Sequence, residues 1–501
     1  MYSGGTESGR SWQTQGQTDA RFPQTNAGRP RYGVVGGLNA SAVSDLLSRL
    51  VEAVEALTST VPPEFVIDRQ PYADECAVAQ MAFDPTRTEL YLYDVVRGFA
   101  AAGVEAVILP CFLCHAFIEE LQGEVRLPVF NLFEAVRTHL AANFPNARRI
   151  GVVTSDFVRA QRLFERSLAV DSGRLVYPDD DVQRDCVMPA IQGRDNAGDL
   201  LAKACENLME QGVDVIVPAA IEMAGRVSAL QALGLPVIDV HRAYAEYIIS
   251  TRPMPLKKPF KIGVVGGVGP AATVDLMSKI VVNTPARKDQ EHIKVVVEEN
   301  PQIPDRTDNL LNGGRDPTIA LYATCKRLEE DEASVIAIPC NTAHAYIARI
   351  QSLLSIPIVN MLHETMAYIA DHYPAQKKKI GLLATNGTIR TRVYHQAAQV
   401  VGCELIVPDA EHQQQVMAAI YGPQGVKAGH TAGECVTQLQ SAMASLVARG
   451  AEILVLGCTE LPLIMQQNAA YPIAGKIVVV IDPTEILARK CVSLALEDAV
   501  R

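Results

Sequence analysis

Short apolar runs ending in glycine, cysteine or threonine alternate along this chain with stretches whose apolar residues recur every three or four positions. That alternation predicts strands buried on both faces, each followed by an amphipathic helix. Tyr32 to Val35, Ile150 to Val153, Gly263 to Val265 and Ile380 to Ala384 read as strands, and Ala42 through Leu57 carries a helical period. The expected class is α/β with doubly wound parallel sheets, in which ligands bind at the carboxyl edge of the strands.

The pattern then repeats. Gly33-Val34-Val35-Gly36-Gly37 returns as Gly263-Val264-Val265-Gly266-Gly267, and Pro110-Cys111 with His115 returns as Pro339-Cys340 with His344. Ile150-Gly151 returns as Ile380-Gly381, and Ile238-Asp239 as Ile481-Asp482, at an offset near 230 residues that grows to 243 by the last pair. One domain is therefore present twice in tandem. We expect a disordered leader over residues 1–30, rich in Gly, Ser, Thr and Gln, a first copy over 31–251, a proline-broken linker over 252–259 and a second copy over 260–501. Each copy reads as two flavodoxin-like lobes, with a cleft between the lobes as the site.

Composition narrows the class. The 501 residues include 48% hydrophobic positions, enough for several cores. A net charge of −11 without a basic cluster argues against nucleic acid as a partner; Lys377-Lys378-Lys379 reads as a solvated loop. Nothing resembles a signal peptide or a membrane span, and eleven scattered cysteines do not suggest a disulfide framework. A cytoplasmic protein with reduced thiols and no membrane partner is expected. The glycine turns have neither dinucleotide-fingerprint nor P-loop spacing. No metal-ligand spacing and no mark of a pyridoxal-phosphate lysine occur, so no cofactor is expected.

The chemistry concentrates in two turns. Ile338-Pro339-Cys340-Asn341-Thr342-Ala343-His344 and Gly457-Cys458-Thr459-Glu460 each follow a strand-like apolar run, and the first should start a helix, a setting that favours thiolate and anion binding. Two such thiols on opposite faces of one substrate could invert a stereocentre, one removing a proton and the other returning one. Helix capping alone would also account for the threonines, and buried structural cysteine is a common alternative for the thiols.

Those two turns, with Gly263 to Pro270, Asn300 to Thr307, Leu383 to Thr388 and Ile481 to Glu485 in the same order, resemble the motifs of the aspartate/glutamate racemase family over roughly residues 259 to 495. The resemblance implies a cofactor-independent racemase with Cys340 and Cys458 as acid/base pair, and an acidic amino acid, aspartate or glutamate, as small-molecule partner. It maps Arg306 and Lys427 to a side-chain carboxylate clamp, with Thr385 at a strand end as a third contact, while Asn341, Thr342 and Thr459, with their turn N–H groups, are the candidates to stabilise charge at the α-carboxylate. Pairing of the copies as an internal pseudo-dimer, or a homo-oligomer, is also implied. In the first copy Ala220 and Ile221 stand where Cys458 and Thr459 should be, and Phe112 and Leu113 replace Asn341 and Thr342. That copy reads as degenerate, with one-thiol chemistry through Cys111 or Cys114 as the other reading. Two alternatives stay open for the whole chain: another cysteine-dependent enzyme of the hydantoin racemase, maleate isomerase or decarboxylase type, and a non-catalytic amino-acid-binding regulator.

Overall fold

The computed structural model describes residues 29–56, 61–69, 84–168, 172–193, 195–373 and 379–500. Most of the expected leader, Leu57, Gln70, Pro71, Lys377 and Lys378 lie outside the described residues. The chain divides into two compact units, the first ending at Lys258 and the second starting at Pro259.

In the first unit, β1 (Arg31–Val35), β2 (Glu64–Asp68), β3 (Ala106–Ile108) and β4 (Val129–Phe130) form a parallel sheet in the order β2-β1-β3-β4. A second parallel sheet has the order β6-β5-β7, with β5 at Ile150–Val153, β6 at Leu175–Val176 and β7 at Val215–Pro218.

The second unit repeats the plan. One lobe orders β8 (Lys261–Gly266), β9 (Lys294–Glu299), β10 (Val335–Ala337) and β11 (Ile358–Val359) as β11-β10-β8-β9, all parallel. The other orders β12 (Lys379–Ala384), β13 (Glu404–Ile406), β14 (Ala451–Gly457), β15 (Asn468–Ile473) and β16 (Lys476–Ile481) as β13-β12-β14-β16-β15. Only β15 there is antiparallel, closing a hairpin through Ala474 and Gly475, both at positive φ. Strand order 2-1-3-4 in each first lobe is the flavodoxin-like winding.

Burial explains why these segments are strands. β8, β10, β12 and β14 consist almost wholly of Val, Ile, Leu, Ala and Gly with nearly every position buried, the pattern of strands covered on both faces. One apolar core spans both lobes of the second unit, joining Ile262 and Leu276 to Ile380, Tyr394 and Leu487. The last helix, Pro483–Val500, returns from the second lobe to pack on the first-lobe helix Pro270–Asn283. Lys279 on that first helix pairs with Asp275 and Asp482, and Asn283 donates to Glu485. The Ile481-to-Glu485 motif is thus a clasp between lobes, outside the cavity described below. Gly267 shows why another motif needs glycine: at φ +79° its backbone lies so close to Asn300 that a Cβ would sit 2.2 Å from the Asn300 carbonyl carbon. Among the described residues, no helix is long and apolar enough to cross a membrane.

Candidate active site

β10 ends at Ala337, and at the sheet edge the chain folds back so that Cys340 N donates to Ile338 O at 2.8 Å. A 3₁₀ helix, Thr342–Tyr346, follows, and only then a short α-helix, Ile347–Ile350. The α-helix start expected at Cys340 is therefore a tighter turn. β14 ends at Gly457 and presents Cys458 directly at its carboxyl end, ahead of the 3₁₀ helix Leu461–Leu463. The two cysteines are 118 positions apart in sequence, and each backs onto the outer core of its own lobe.

Both line one cavity, and each is 6% exposed. Asn341, Thr342, Arg306, Thr385, Lys427 and Thr459 line it too, joined by Val268, Thr307, Tyr421 and Glu460. Its volume is about 10 Å³, room for a single water.

Charge is distributed unevenly around the two thiols. Cys458 donates its S–H to Glu460 Oε2 at 3.0 Å. Burial first, and then the Glu460 carboxylate, push its pKa well above the usual thiol value, while Lys427 pulls the other way. Cys458 is therefore held as a thiol. Lys427 forms an ion pair with Glu460 and lies over the Tyr421 ring, 5.5 Å from its centroid. Burial works against the ammonium, but Glu460 and then Cys458 outweigh it and raise the Lys427 pKa.

Cys340 has a cation of its own. Arg306 is 7% exposed, and its Nη groups donate to the carbonyls of Ile303, Pro304 and Val268 at 3.2, 3.1 and 2.7 Å. Burial opposes its charge, yet the neighbouring Cys340 and Asp305 raise its pKa. The guanidinium is anchored to backbone beside the thiol, so its fork is not free for two-pronged binding; Nε alone has no hydrogen-bond partner among the described residues.

The remaining polar residues divide into framework and open donors. Thr342, Thr385 and Thr388 hydroxyls meet at 2.8 to 3.1 Å, and Thr307 adds to Thr385 at 3.3 Å. Thr385 also caps the helix Asn386–Thr391 by accepting from Thr388 N at 3.2 Å. Thr459 donates to Pro339 O at 3.1 Å, tying one cysteine turn to the other. Asn341 Oδ1 accepts from Tyr394 OH at 2.5 Å, whereas its buried Nδ2 has no partner among the described residues. A buried donor of this kind costs on the order of 1–3 kcal/mol until something accepts from it.

His344 is a bracket. Its Nδ1 faces Cys340 O at 2.9 Å and its Nε2 accepts from Met361 N at 3.1 Å, so Nδ1 carries the proton and donates. Burial lowers its pKa from 6.5 to about 4. His115 repeats the arrangement between Cys111 O and Leu132 N, both at 2.9 Å. Because the folded state disfavours the imidazolium, the stability His344 supports is complete above pH 6.5 and is lost as pH falls toward 4. Its loss by about pH 5 is about 2 kcal/mol. His344→Gln should therefore lose less Tm than the wild type between about pH 7 and 5 in thermal melts; an identical fall would show that the histidine does not titrate on unfolding.

In the first unit aromatic and aliphatic side chains stand at the positions of the second unit's Asn341, Cys458 and Thr459, with Asp239 and His241 at the edge of the void they leave. Phe112 packs on Phe133 and Phe164 with centroids 5.0 and 5.1 Å away, and Ala220 and Ile221 line a cavity of about 10 Å³ with Phe112 and Pro218.

Glu460, Tyr421 and Thr307 were not singled out from sequence. Glu460 directly follows Cys458-Thr459, and that adjacency was a usable signal. Tyr421 ends the helix Ala410–Tyr421 with no motif around it, so only the fold brings it in. No group of three or more His, Cys, Asp or Glu side chains among the described residues is placed to hold a metal ion.

Comparison with known proteins agrees with this plan. The family model described as Asp/Glu/Hydantoin racemase matches residues 35–248 and again 265–491. The chain is 28% identical over 246 residues, 47% of its length and 98% of the relative, to the broad specificity amino-acid racemase RacX of Bacillus subtilis (strain 168). It is 26% identical over 171 residues to a glutamate racemase of Shewanella denitrificans, spanning 34% of this chain and 58% of that relative. Among solved structures it is similar to Picrophilus torridus aspartate racemase, with a TM-score of 0.40 and 26% identity over 47% of this chain and 94% of that one. Two matches of one family model cover most of the sequence, so the chain belongs to the Asp/Glu/Hydantoin racemase family and carries its domain twice.

Proposed function

We propose that the second unit is a cofactor-independent amino-acid racemase acting on aspartate or glutamate by two-thiol proton transfer. The observation that carries the reading is that Cys340 and Cys458 share one cavity with Arg306, Lys427 and the unpartnered Asn341 Nδ2. Cys340, beside Arg306, takes the α-proton from one face; Cys458, already a thiol, delivers a proton to the other, and the roles exchange in the reverse direction. Asn341 Nδ2 and Arg306 Nε supply donors to the α-carboxylate, where charge builds as the carbanion forms. The distal carboxylate of an acidic substrate replaces Glu460 as the partner of Lys427, one carboxylate exchanging for another, which is why an acidic side chain suits this site. The cleft opens for entry, since the resting void is far smaller than an amino acid. The first unit, without a second thiol or the Asn-Thr pair, is catalytically silent, and the protein works in the cytoplasm.

The test is α-proton exchange in heavy water, followed by NMR on both enantiomers of aspartate, glutamate, alanine and lysine. Exchange with inversion for the acidic pair alone, or many-fold faster than for the others, supports the proposal. Equal rates for all would place specificity elsewhere than Lys427, and exchange with none would remove the racemase reading.

A further inference from the structure

The first unit holds a thiol pair that the second lacks. Its Cys111 stands at the position of Cys340, but Cys114 stands where the second unit has Ala343. Cys114 N donates to Cys111 O at 3.2 Å, closing a single turn that sets residue 114 over residue 111. That turn keeps the two residues within the span a disulfide bridges, and both are free thiols. Cys111 is partly exposed, while Cys114 is 1% exposed beneath it.

A third group completes the arrangement. Glu222 occupies the position of Glu460, on the turn after β7. Its neighbour at the Cys458 position is Ala220, so the carboxyl no longer serves a thiol on its own turn, and its charge acts on Cys114. Burial raises the Glu222 pKa to about 7, where a carboxyl can both accept and release a proton near neutrality. Contact with Cys111, then burial, then Glu222 raise the Cys114 pKa. Tyr91 also lies near Cys114, and Asp68 acts on Tyr91 more strongly.

We propose that Cys111 and Cys114 form a reversible dithiol–disulfide site, with a low-molecular-weight disulfide as co-reactant and Glu222 as the proton acceptor for the buried thiol. The exposed Cys111 thiolate attacks one sulfur of the disulfide R–S–S–R, forming a Cys111–S–S–R bond and expelling RS⁻, which is protonated by water. Cys114 then gives its proton to Glu222 and attacks the Cys111 sulfur. The intramolecular bond forms, the second RS⁻ leaves, and the Glu222 proton passes to it or to solvent. The dithiol loses two electrons, and the disulfide gains them to become two thiols. This site is independent of the racemase reading, since it uses no residue of the second unit.

The experiment equilibrates the reduced full-length chain with glutathione buffers of rising oxidised fraction, quenches with an alkylating agent and maps the peptides by mass. Cys111 and Cys114 should lose alkylation together, their peptides gaining a bridge lighter by two hydrogens, and should recover in excess reduced glutathione. Cys114→Ser should trap the glutathione adduct on Cys111, and folded Cys111→Ser should leave Cys114 unmodified. Glu222→Gln should reach the same end state but lose the rise in bridge-closing rate centred near pH 7. The proposal is overturned if both thiols stay alkylatable in buffers that oxidise a model dithiol peptide. It is equally overturned if the two serine variants, folded by circular dichroism, take up glutathione to the same extent. An unchanged rate profile in Glu222→Gln would remove the carboxyl from the mechanism.

Discussion

Cys340→Ala and Cys458→Ala should each lose interconversion of enantiomers, with kcat/KM falling at least ~10²- to 10⁴-fold, the range for removal of a positioned acid or base. Neither change creates much of a void, since alanine lacks only the sulfur, so the chain should stay folded and the loss can be read as chemistry. The two variants should differ in what survives. Cys458→Ala keeps Cys340 beside Arg306, and can still exchange the α-proton of the enantiomer that presents it to Cys340. Cys340→Ala leaves only a thiol that burial and Glu460 hold protonated, so its residual exchange should be slower and should favour the opposite enantiomer. Single-enantiomer exchange in heavy water measures both. Inversion at wild-type rate in either variant would sink the two-thiol mechanism.

Glu460→Gln should combine a functional shift with a structural cost. The carboxylate accepts the Cys458 S–H and neutralises Lys427, and glutamine keeps the shape but not the charge. With the anion gone and the ammonium left, the Cys458 pKa falls. The proton donor is then lost at lower pH, and the alkaline limb of the pH–rate profile moves down by on the order of one unit. An unpaired Lys427 in a mostly buried position lowers stability by on the order of 2 kcal/mol, below the figure for a fully buried pair because part of the side chain reaches solvent. Adding Lys427→Met to Glu460→Gln should restore the stability but not the rate. A profile that does not move would mean that Glu460 has no hold on the Cys458 proton.

The winding and the tandem organisation were legible because their signal is local and repeated: both-face apolar strands, glycines at strand ends, and matching segments at a near-constant offset. The cysteine turns were legible for the same reason. What each polar neighbour does was not, because that depends on partners distant in the chain. Thr459 ties to Pro339, Thr385 meets Thr342 and Thr307, and Arg306 hangs from Val268. Lys427 was read as an open clamp, yet it arrives paired with Glu460, thirty-three positions on. The sequence displayed both residues without displaying that one neutralises the other. His344 likewise offered a choice between assisting the thiol and packing, and only its two backbone partners make it a bracket.

Enclosure of the cavity turns recognition into a matter of populations. On the proposed function, a resting cleft that admits one water would be competent for an amino acid only in the fraction of molecules where the lobes have parted and Lys427 has left Glu460. Observed affinity is then the intrinsic affinity scaled by that fraction. Substitutions that loosen the interlobe clasp at Lys279 and Asp482, outside the cavity lining, would tighten apparent binding while leaving the cavity's own residues in place. The fold would thereby govern affinity and the cysteines rate, two properties on separate residues.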